Sequence, residues 1–253
     1  MNIFFEYIKY RWNAKTLHGI HSPFVFDFMK ENYKKMLDRK NLAAIESFAL
    51  KQNNTKILHT QDHGAKSKKL KTERSVLQIF KTSSSFGRYG TLMFRICSHF
   101  KPSNILELGT SLGMGSLYMH LGNPKGKLIT IEGCPETYSI AIENLKPYPI
   151  ELINGTFKNT IQTFSDEKFD LVFIDGHHDG QALLEYLDAL TPFTHENTLF
   201  VLDDIRWSKS MLDSWNKLKT SETYHLSMDF FRMGILAKRP QQVKENFILR
   251  FKK

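Results

Sequence analysis

The chain is poor in cysteine. Only Cys97 and Cys134 occur in 253 residues, and neither belongs to a Cys-x-x-Cys pair. A disulfide framework and a cysteine zinc site are therefore not expected, and such cysteine usage suits a reducing cytoplasm. Long apolar runs are also missing. No stretch reaches the roughly 18 apolar residues needed to cross a bilayer, so no membrane span is expected. The opening Met1-Asn-Ile-Phe-Phe-Glu6 soon meets Lys9 and Arg11, before the apolar core of a secretory leader could form. There is no internal repeat and no low-complexity tract. Acidic residues are outnumbered, giving a formal charge of +9. Such a surplus can draw nucleic acid, acidic lipid headgroups or an anionic small molecule, or simply keep the protein in solution. A chain of this length suits one large α/β domain or one domain with an appendage, burying roughly 70–75% of its unfolded surface.

What is present begins with apolar helices. Phe4, Phe5, Ile8 and Trp12 fall at helical spacing and read as a core-facing stripe. Ser22 before Pro23 is an N-cap with proline in the first helical position, and Phe24, Val25, Phe28 and Met29 supply an apolar face. His18 and His21 have no carboxylate or cysteine placed to complete a metal site, so capping or lid contacts are expected. A mixed helical pattern runs over 32–50, with Leu37, Ile45 and Phe48 as buried points, and breaks at Gln52-Asn-Asn-Thr55. The densest positive run is Lys66, Lys68, Lys69, Lys71 and Arg74. It reads as a solvated segment or as a lid for an acidic substrate. It lacks the interleaved aromatics of a single-stranded nucleic-acid platform. Residues 1–75 are thus expected to form a helical appendage whose apolar helices could serve a homodimer contact.

From residue 76 the pattern becomes α/β. Helices are expected over 76–80 and 90–100, with Pro102 stopping the second. Strands are expected over 104–108, 127–132, 150–156, 169–175 and 198–204. They alternate with helices at 116–121, 137–145, 182–190 and 209–219 and with a short one starting at Ile161. Two closing strands over 224–228 and 233–237 follow, and 246–251 offers an edge strand. This implies a doubly wound, seven-stranded sheet, mostly parallel with a reversed last strand, over residues 76–253.

The chain is organised around Asn104-Ile-Leu-Glu-Leu-Gly-Thr-Ser-Leu-Gly-Met-Gly-Ser116. A buried strand ends at Gly109, a glycine-rich loop follows, and a helix begins. Glycines let a ligand approach the backbone, and a helix start offers unpaired N–H groups. A dinucleotide site would place Gly-x-Gly-x-x-Gly directly after the strand, so the spacing argues against an NAD-dependent dehydrogenase. The acid inside the strand end would oppose a phosphate but suits a ligand carrying a cation and hydroxyls.

This stretch resembles motif I of the class I S-adenosylmethionine (SAM)-dependent methyltransferases. The resemblance implies that Glu107, Gly109, Thr110, Ser111, Gly113 and Ser116 hold the methionine and ribose parts of SAM. Glu132 ends the next strand, in the position where a doubly wound sheet presents an acid to ribose hydroxyls, with Gly133 beside it. Asn154, Gly155 and Thr156 stand where the family contacts adenine. The serine run before Gly90 also looks like the approach to motif I in catechol-type O-methyltransferases.

Asp175 ends the fourth strand, and Asp203 and Asp204 end the fifth. Three carboxylates at one edge raise each other's pKa unless a cation sits among them, and hard oxygen ligands suit Mg²⁺, Ca²⁺ or Mn²⁺. A divalent ion would also acidify and position an acceptor hydroxyl. The same three positions match the metal ligands of the catechol and caffeoyl-CoA type O-methyltransferases. The Asp-Asp pair could instead bind the cofactor amine or a cationic substrate. Phe-Ile-Asp-Gly-x-His also resembles a broader class I group that includes cephalosporin-tailoring methyltransferases. His178 stands where the catechol type carries a lysine near the reacting hydroxyl. It is read as the general base with Asp175 beside it, and His177 could exchange roles with it. Trp207 could wall the acceptor pocket or simply pack.

The resemblance implies a cytoplasmic SAM-dependent methyltransferase acting on a small-molecule hydroxyl. The basic charge keeps RNA or protein methylation open. No Asn/Asp-Pro-Pro-Tyr/Phe motif for exocyclic amines occurs, and no catalytic cysteine follows the strands. A SAM-binding protein without turnover is the remaining alternative.

Overall fold

A computed structural model describes residues 2–34, 37–60, 73–83 and 85–250. The basic run at 66–71 lies outside the described residues. The first helix, α1 (Ile3–Asn13), is capped by Asn2, whose side chain accepts the Phe4 N–H at 3.0 Å. Helix α2 (Pro23–Lys34) starts at the expected proline. The helical pattern over 32–50 is not continuous. Asp38 caps a separate helix, α3 (Arg39–Lys51), by accepting the Asn41 N–H at 2.8 Å. A side chain that bonds the backbone of a new first turn is what starts a fresh helix there.

Two short antiparallel strands, β1 (Ile57–His59) and β2 (Glu73–Ser75), were not legible in the pattern. Helices α4 (Val76–Ser83) and α5 (Arg88–Phe100) follow. The α/β region then runs β3 (Asn104–Leu108), α6 (Met114–Gly122), β4 (Lys127–Glu132), α7 (Pro135–Leu145), β5 (Ile150–Asn154), α8 (Phe157–Ile161) and β6 (Phe169–Ile174). It continues with α9 (Gly180–Ala189), β7 (Thr194–Leu202), α10 (Lys209–Thr220), β8 (Leu226–Asp229), β9 (Gly234–Ala237) and β10 (Glu245–Ile248). The short helix expected to start at Ile161 instead ends there, because Phe157 and Ile161 are its buried points.

The sheet order is β10-β8-β9-β7-β6-β3-β4-β5. Pairings are parallel except those of β9, which runs against both β7 and β8. The described sheet therefore has eight strands, the seven expected plus the edge strand β10. Helical crossovers join the parallel strands β3 to β7, β9 and the loop after it return the chain to place β10 parallel to β8, and the tight turn between β8 and β9 can make only an antiparallel pair.

Alternation along the strands sorts the core into two layers. Ile105, Phe173, Val201 and Ile235 face one layer, with Phe28, Met93, Ile96 and Leu117. Leu106, Leu108, Val172, Ile174, Phe200 and Leu202 face the other, with Leu183, Leu187 and Trp215. Val25, Phe28, Met29, Ile45 and Phe48 from α2 and α3 join the first layer.

The face of α1 expected to be buried is the exposed one. Phe4, Phe5, Ile8 and Trp12 are 64, 66, 46 and 88% exposed. The helix carries apolar side chains on more than one side, and another of these faces docks. Tyr7 and Tyr10 pack on Phe231 at 5.0 and 5.2 Å, and the Tyr10 hydroxyl donates to the Leu249 carbonyl at 2.5 Å. Among the described residues no helix is long and apolar enough to cross a membrane.

Candidate active site

Register brings the expected residues to one edge. Leu108 pairs with Ile131 and Ile174, and Ile174 with Leu202. The next residues continue the ladder: Gly109 N–H donates to Ile131, Asp175 N–H to Leu108 and Asp203 N–H to Ile174, at 2.9–3.0 Å. Gly109, Glu132, Asp175 and Asp203 therefore emerge side by side at the carboxyl ends of β3, β4, β6 and β7. Ligands of open α/β sheets lie at these ends.

Glu107 sits one residue inside that edge. Strand alternation puts it on the same face as Ile105, under α6, and it is fully buried. The Ser116 and Thr130 hydroxyls both donate to its Oε2, the latter at 2.6 Å. Its Oε1 is buried with no hydrogen-bond partner. Burial pushes the Glu107 carboxyl up to about 7, although both hydroxyl donors oppose the shift. Beside it a cleft is lined by Ser85, Gly109, Ser111, Met114, Gly115 and Asp175. At Gly115 an added Cβ would lie 2.6 Å from Glu107 Oε1, and at Gly109, where φ is +108°, 2.0 Å from the Asp175 carbonyl oxygen. Only glycine leaves this cradle open. A buried acceptor without a donor, facing a cleft that side chains would fill, fits a ligand that brings a donor of its own.

Glu132 is held by the backbone. It accepts the Ser111 N–H at 2.8 Å and the Cys134 N–H at 2.9 Å, which orients its carboxylate towards the glycine loop. Thr110 is buried, its hydroxyl 2.6 Å from that of Thr130. Gly113 caps α6, and Gly155 N–H donates to the Glu132 carbonyl at 3.0 Å, with Thr156 next, capping α8. Gly133 follows Glu132 in the bend before α7. Leu58, Val76 and Ile79 pack on Leu112 of the glycine loop.

The acidic edge is paired with groups from other parts of the chain. Asp175 accepts the Ser85 hydroxyl at 3.3 Å. Burial raises its carboxyl well above the ordinary range, and Asp203 and Asp204 raise it further. Asp204 rises to about 6 through burial and the Asp203 charge. Both Asp203 oxygens, however, accept from Arg232, Oδ1 from Nε at 2.9 Å and Oδ2 from Nη2. Arg232 Nε also lies 3.0 Å from Asp204 Oδ1. As they stand, Asp175, Asp203 and Asp204 do not form a metal-ligand set, because two of them are engaged by a guanidinium. Among the described residues no group of three or more His, Cys, Asp or Glu side chains is arranged to hold a metal ion.

The two histidines separate. His177 turns to the α9 side, with Nδ1 2.6 Å from the Tyr186 hydroxyl. His178 faces the acidic edge, with Nδ1 3.9 Å from Asp204 Oδ2 and its ring 5.5 Å from that of Trp207, which is 58% exposed. Ser111, His177, His178, Asp204 and Phe231 all have positive φ. Such backbone is rare for non-glycine residues, and strain of this kind concentrates where loops must aim side chains at a ligand. His18 and His21 are exposed before α2. A second, more open cleft, lined by Phe24, Phe100, Asp170, His195 and Arg239, lies at the opposite ends of the strands, away from the carboxylates.

Comparison with known proteins agrees with this geometry. Residues 106–205 match the family model described as a methyltransferase domain. An O-methyltransferase from Bacillus cereus, solved in complex with SAH, superposes with a TM-score of 0.54 at 16% identity, over 80% of this chain and 93% of that one. The chain has the class I methyltransferase fold. Within it, the stretch matching the methyltransferase family runs from β3 to just beyond β7 and contains every strand-end residue described above. Over 139 residues the sequence is 28% identical to a catechol O-methyltransferase of Niastella koreensis, covering 52% of this chain and 61% of the relative. Over 121 residues it is 25% identical to a catechol O-methyltransferase of Mycobacterium tuberculosis, covering 46% of this chain and 54% of the relative. The chain thus spans less than two thirds of these relatives.

Sequence reasoning missed Ser85 and Arg232. Ser85 lies in a serine run where no position stands out. Arg232 follows the acidic pair by 28 residues, in a turn that only the β8–β9 hairpin folds back onto it.

Proposed function

We propose that this chain is a SAM-dependent methyltransferase acting on the oxygen of a small-molecule hydroxyl. The observation that carries the reading is the buried, unpartnered Oε1 of Glu107 at the wall of a glycine-lined cleft. A ligand with a cationic donor satisfies such an acceptor, whereas a phosphate would be repelled. The fold and the resemblance to two catechol O-methyltransferases support the same reading. Glu107, Gly109, Thr110, Ser111, Gly113 and Ser116 would hold the methionine and ribose side of SAM. Glu132 and Gly133 would take the ribose hydroxyls, and Gly155 and Thr156 the adenine. Asp175 would face the cationic end.

When bound, SAM supplies a methyl group on a sulfonium, whose C–S bond breaks as the C–O bond to the acceptor forms. His178 accepts the hydroxyl proton, and Asp204 beside it stabilises the imidazolium so formed. Trp207 walls the acceptor side. Closure by the segment that packs on Leu112 would exclude water. The expected homodimer would use the exposed aromatic face of α1.

Two measurements test the reading. Titration calorimetry with SAH should give one site per chain, lost in Glu132→Ala. Incubation with methyl-labelled SAM and a metabolite extract should label a small molecule. Absence of SAH binding to the folded protein would refute the proposal.

A further inference from the structure

We propose that the Arg232 guanidinium occupies the cation position among the strand-end aspartates, so that this site works without a bound divalent metal ion. The inference rests on the reading above, since it concerns the same acidic edge. Its basis is how the Asp203 and Asp204 oxygens are used. Arg232 meets Asp203 fork to fork and reaches Asp204 with the same Nε. A divalent ion would need those oxygens as direct ligands, at about 2.0–2.6 Å. A planar guanidinium already bonded to both Asp203 oxygens and close to Asp204 Oδ1 fills the space between the two carboxylates and sets its positive charge against an incoming ion.

The arginine is held from several sides. The Ile205 N–H donates to the Arg232 carbonyl at 2.9 Å, and the Phe230 N–H donates to Met233 at 2.8 Å. The Tyr89 hydroxyl donates to the Phe230 carbonyl at 3.2 Å, and the Tyr89 ring lies 5.4 Å from the guanidinium carbon. Asp229 accepts the Phe231 N–H at 2.8 Å, and Tyr7 and Tyr10 of α1 pack on the Phe231 ring. The turn that carries Arg232 is thus fastened by α1, α5 and the end of β7. This fastening separates a built-in cation from a surface side chain that happens to lie near acids.

A fixed single charge has a chemical consequence. It offsets part of the aspartate charge but offers no open coordination position, so an acceptor hydroxyl is activated by a protein base and not by ligation. An acceptor then needs only one hydroxyl, where metal chelation would favour an adjacent pair.

The test uses Mn²⁺ alone, followed by the paramagnetic resonance signal of the free aquo ion, on the full chain. Wild type should leave Mn²⁺ in solution. Arg232→Gln should take up one ion per chain, and adding Asp203→Asn to that variant should release it. Uptake by wild type that Asp203→Asn abolishes would overturn the proposal. So would an Arg232→Gln protein with wild-type circular dichroism that takes up no ion. The wild-type measurement stands even if Arg232→Gln does not fold. SAH calorimetry on the same samples keeps the two ideas apart, because loss of SAH binding would sink the methyltransferase reading and leave the Mn²⁺ result intact.

Discussion

Replacing Glu107 by glutamine tests the buried carboxyl directly. Glu107 has no solvent exposure, and its folded pKa is raised from 4.5 to about 7 by burial. In the unfolded chain the proton leaves near 4.5, whereas the fold keeps it until about 7. Between these values the folded state binds more protons than the unfolded state, so stability falls as pH rises and the whole penalty is present above 7. The gap corresponds to about 3 kcal/mol. A glutamine carbonyl can still accept from Ser116 and Thr130. Its NH₂ would stand where Oε1 lacks a partner, and this adds a cost that does not vary with pH. The pH-dependent difference between the two proteins therefore isolates the titration.

Urea unfolding at pH values from about 5 to about 8.5 provides the assay. Wild type should lose about 2.5 kcal/mol relative to Glu107→Gln across that range, most of it between about 5 and 7. If the two stability curves run parallel, Glu107 does not titrate as argued and its burial has been misjudged. Saturating SAH should flatten the step, because a cationic donor at Oε1 favours the ionised carboxylate in the folded state.

Three further outcomes are expected. Gly109→Ala places a Cβ 2.0 Å from the Asp175 carbonyl at a φ of +108°, and should lower stability by about 2 kcal/mol in urea unfolding and abolish SAH binding. Asp229→Asn takes from the buried Arg206 the carboxylate that meets it through both oxygens at 2.9 and 2.7 Å and leaves only Glu6, 3.9 Å from its Nε; thermal unfolding should show a loss of about 3 kcal/mol. With an acceptor in hand, His178→Asn should slow single-turnover methyl transfer by about 100-fold, while His177→Asn, whose ring pairs with Tyr186, should change it far less; the reverse order would move the base to His177.

Much of this protein is local in origin. Apolar runs bounded by glycine, proline and charge became β3, β4, β6 and β7. The placement of Glu107, Gly109, Glu132, Asp175, Asp203 and Asp204 at or beside the strand ends followed from counting along them. Periodicity and strand ends are properties of neighbouring residues, so they can be read before folding. Which face of α1 docks could not be read, because the helix is apolar on several sides and only the position of Phe231 chooses Tyr7 and Tyr10 over Phe4, Phe5, Ile8 and Trp12. Spacing favoured His178 as the base but let His177 exchange roles with it; in the fold Tyr186 holds the His177 ring and Asp204 lies beside His178. The cation among the aspartates was the largest decision left to tertiary structure. Arg232 is remote in sequence from Asp203, and only the β8–β9 turn returns it, so the charge balance of the site belongs to the folded chain alone.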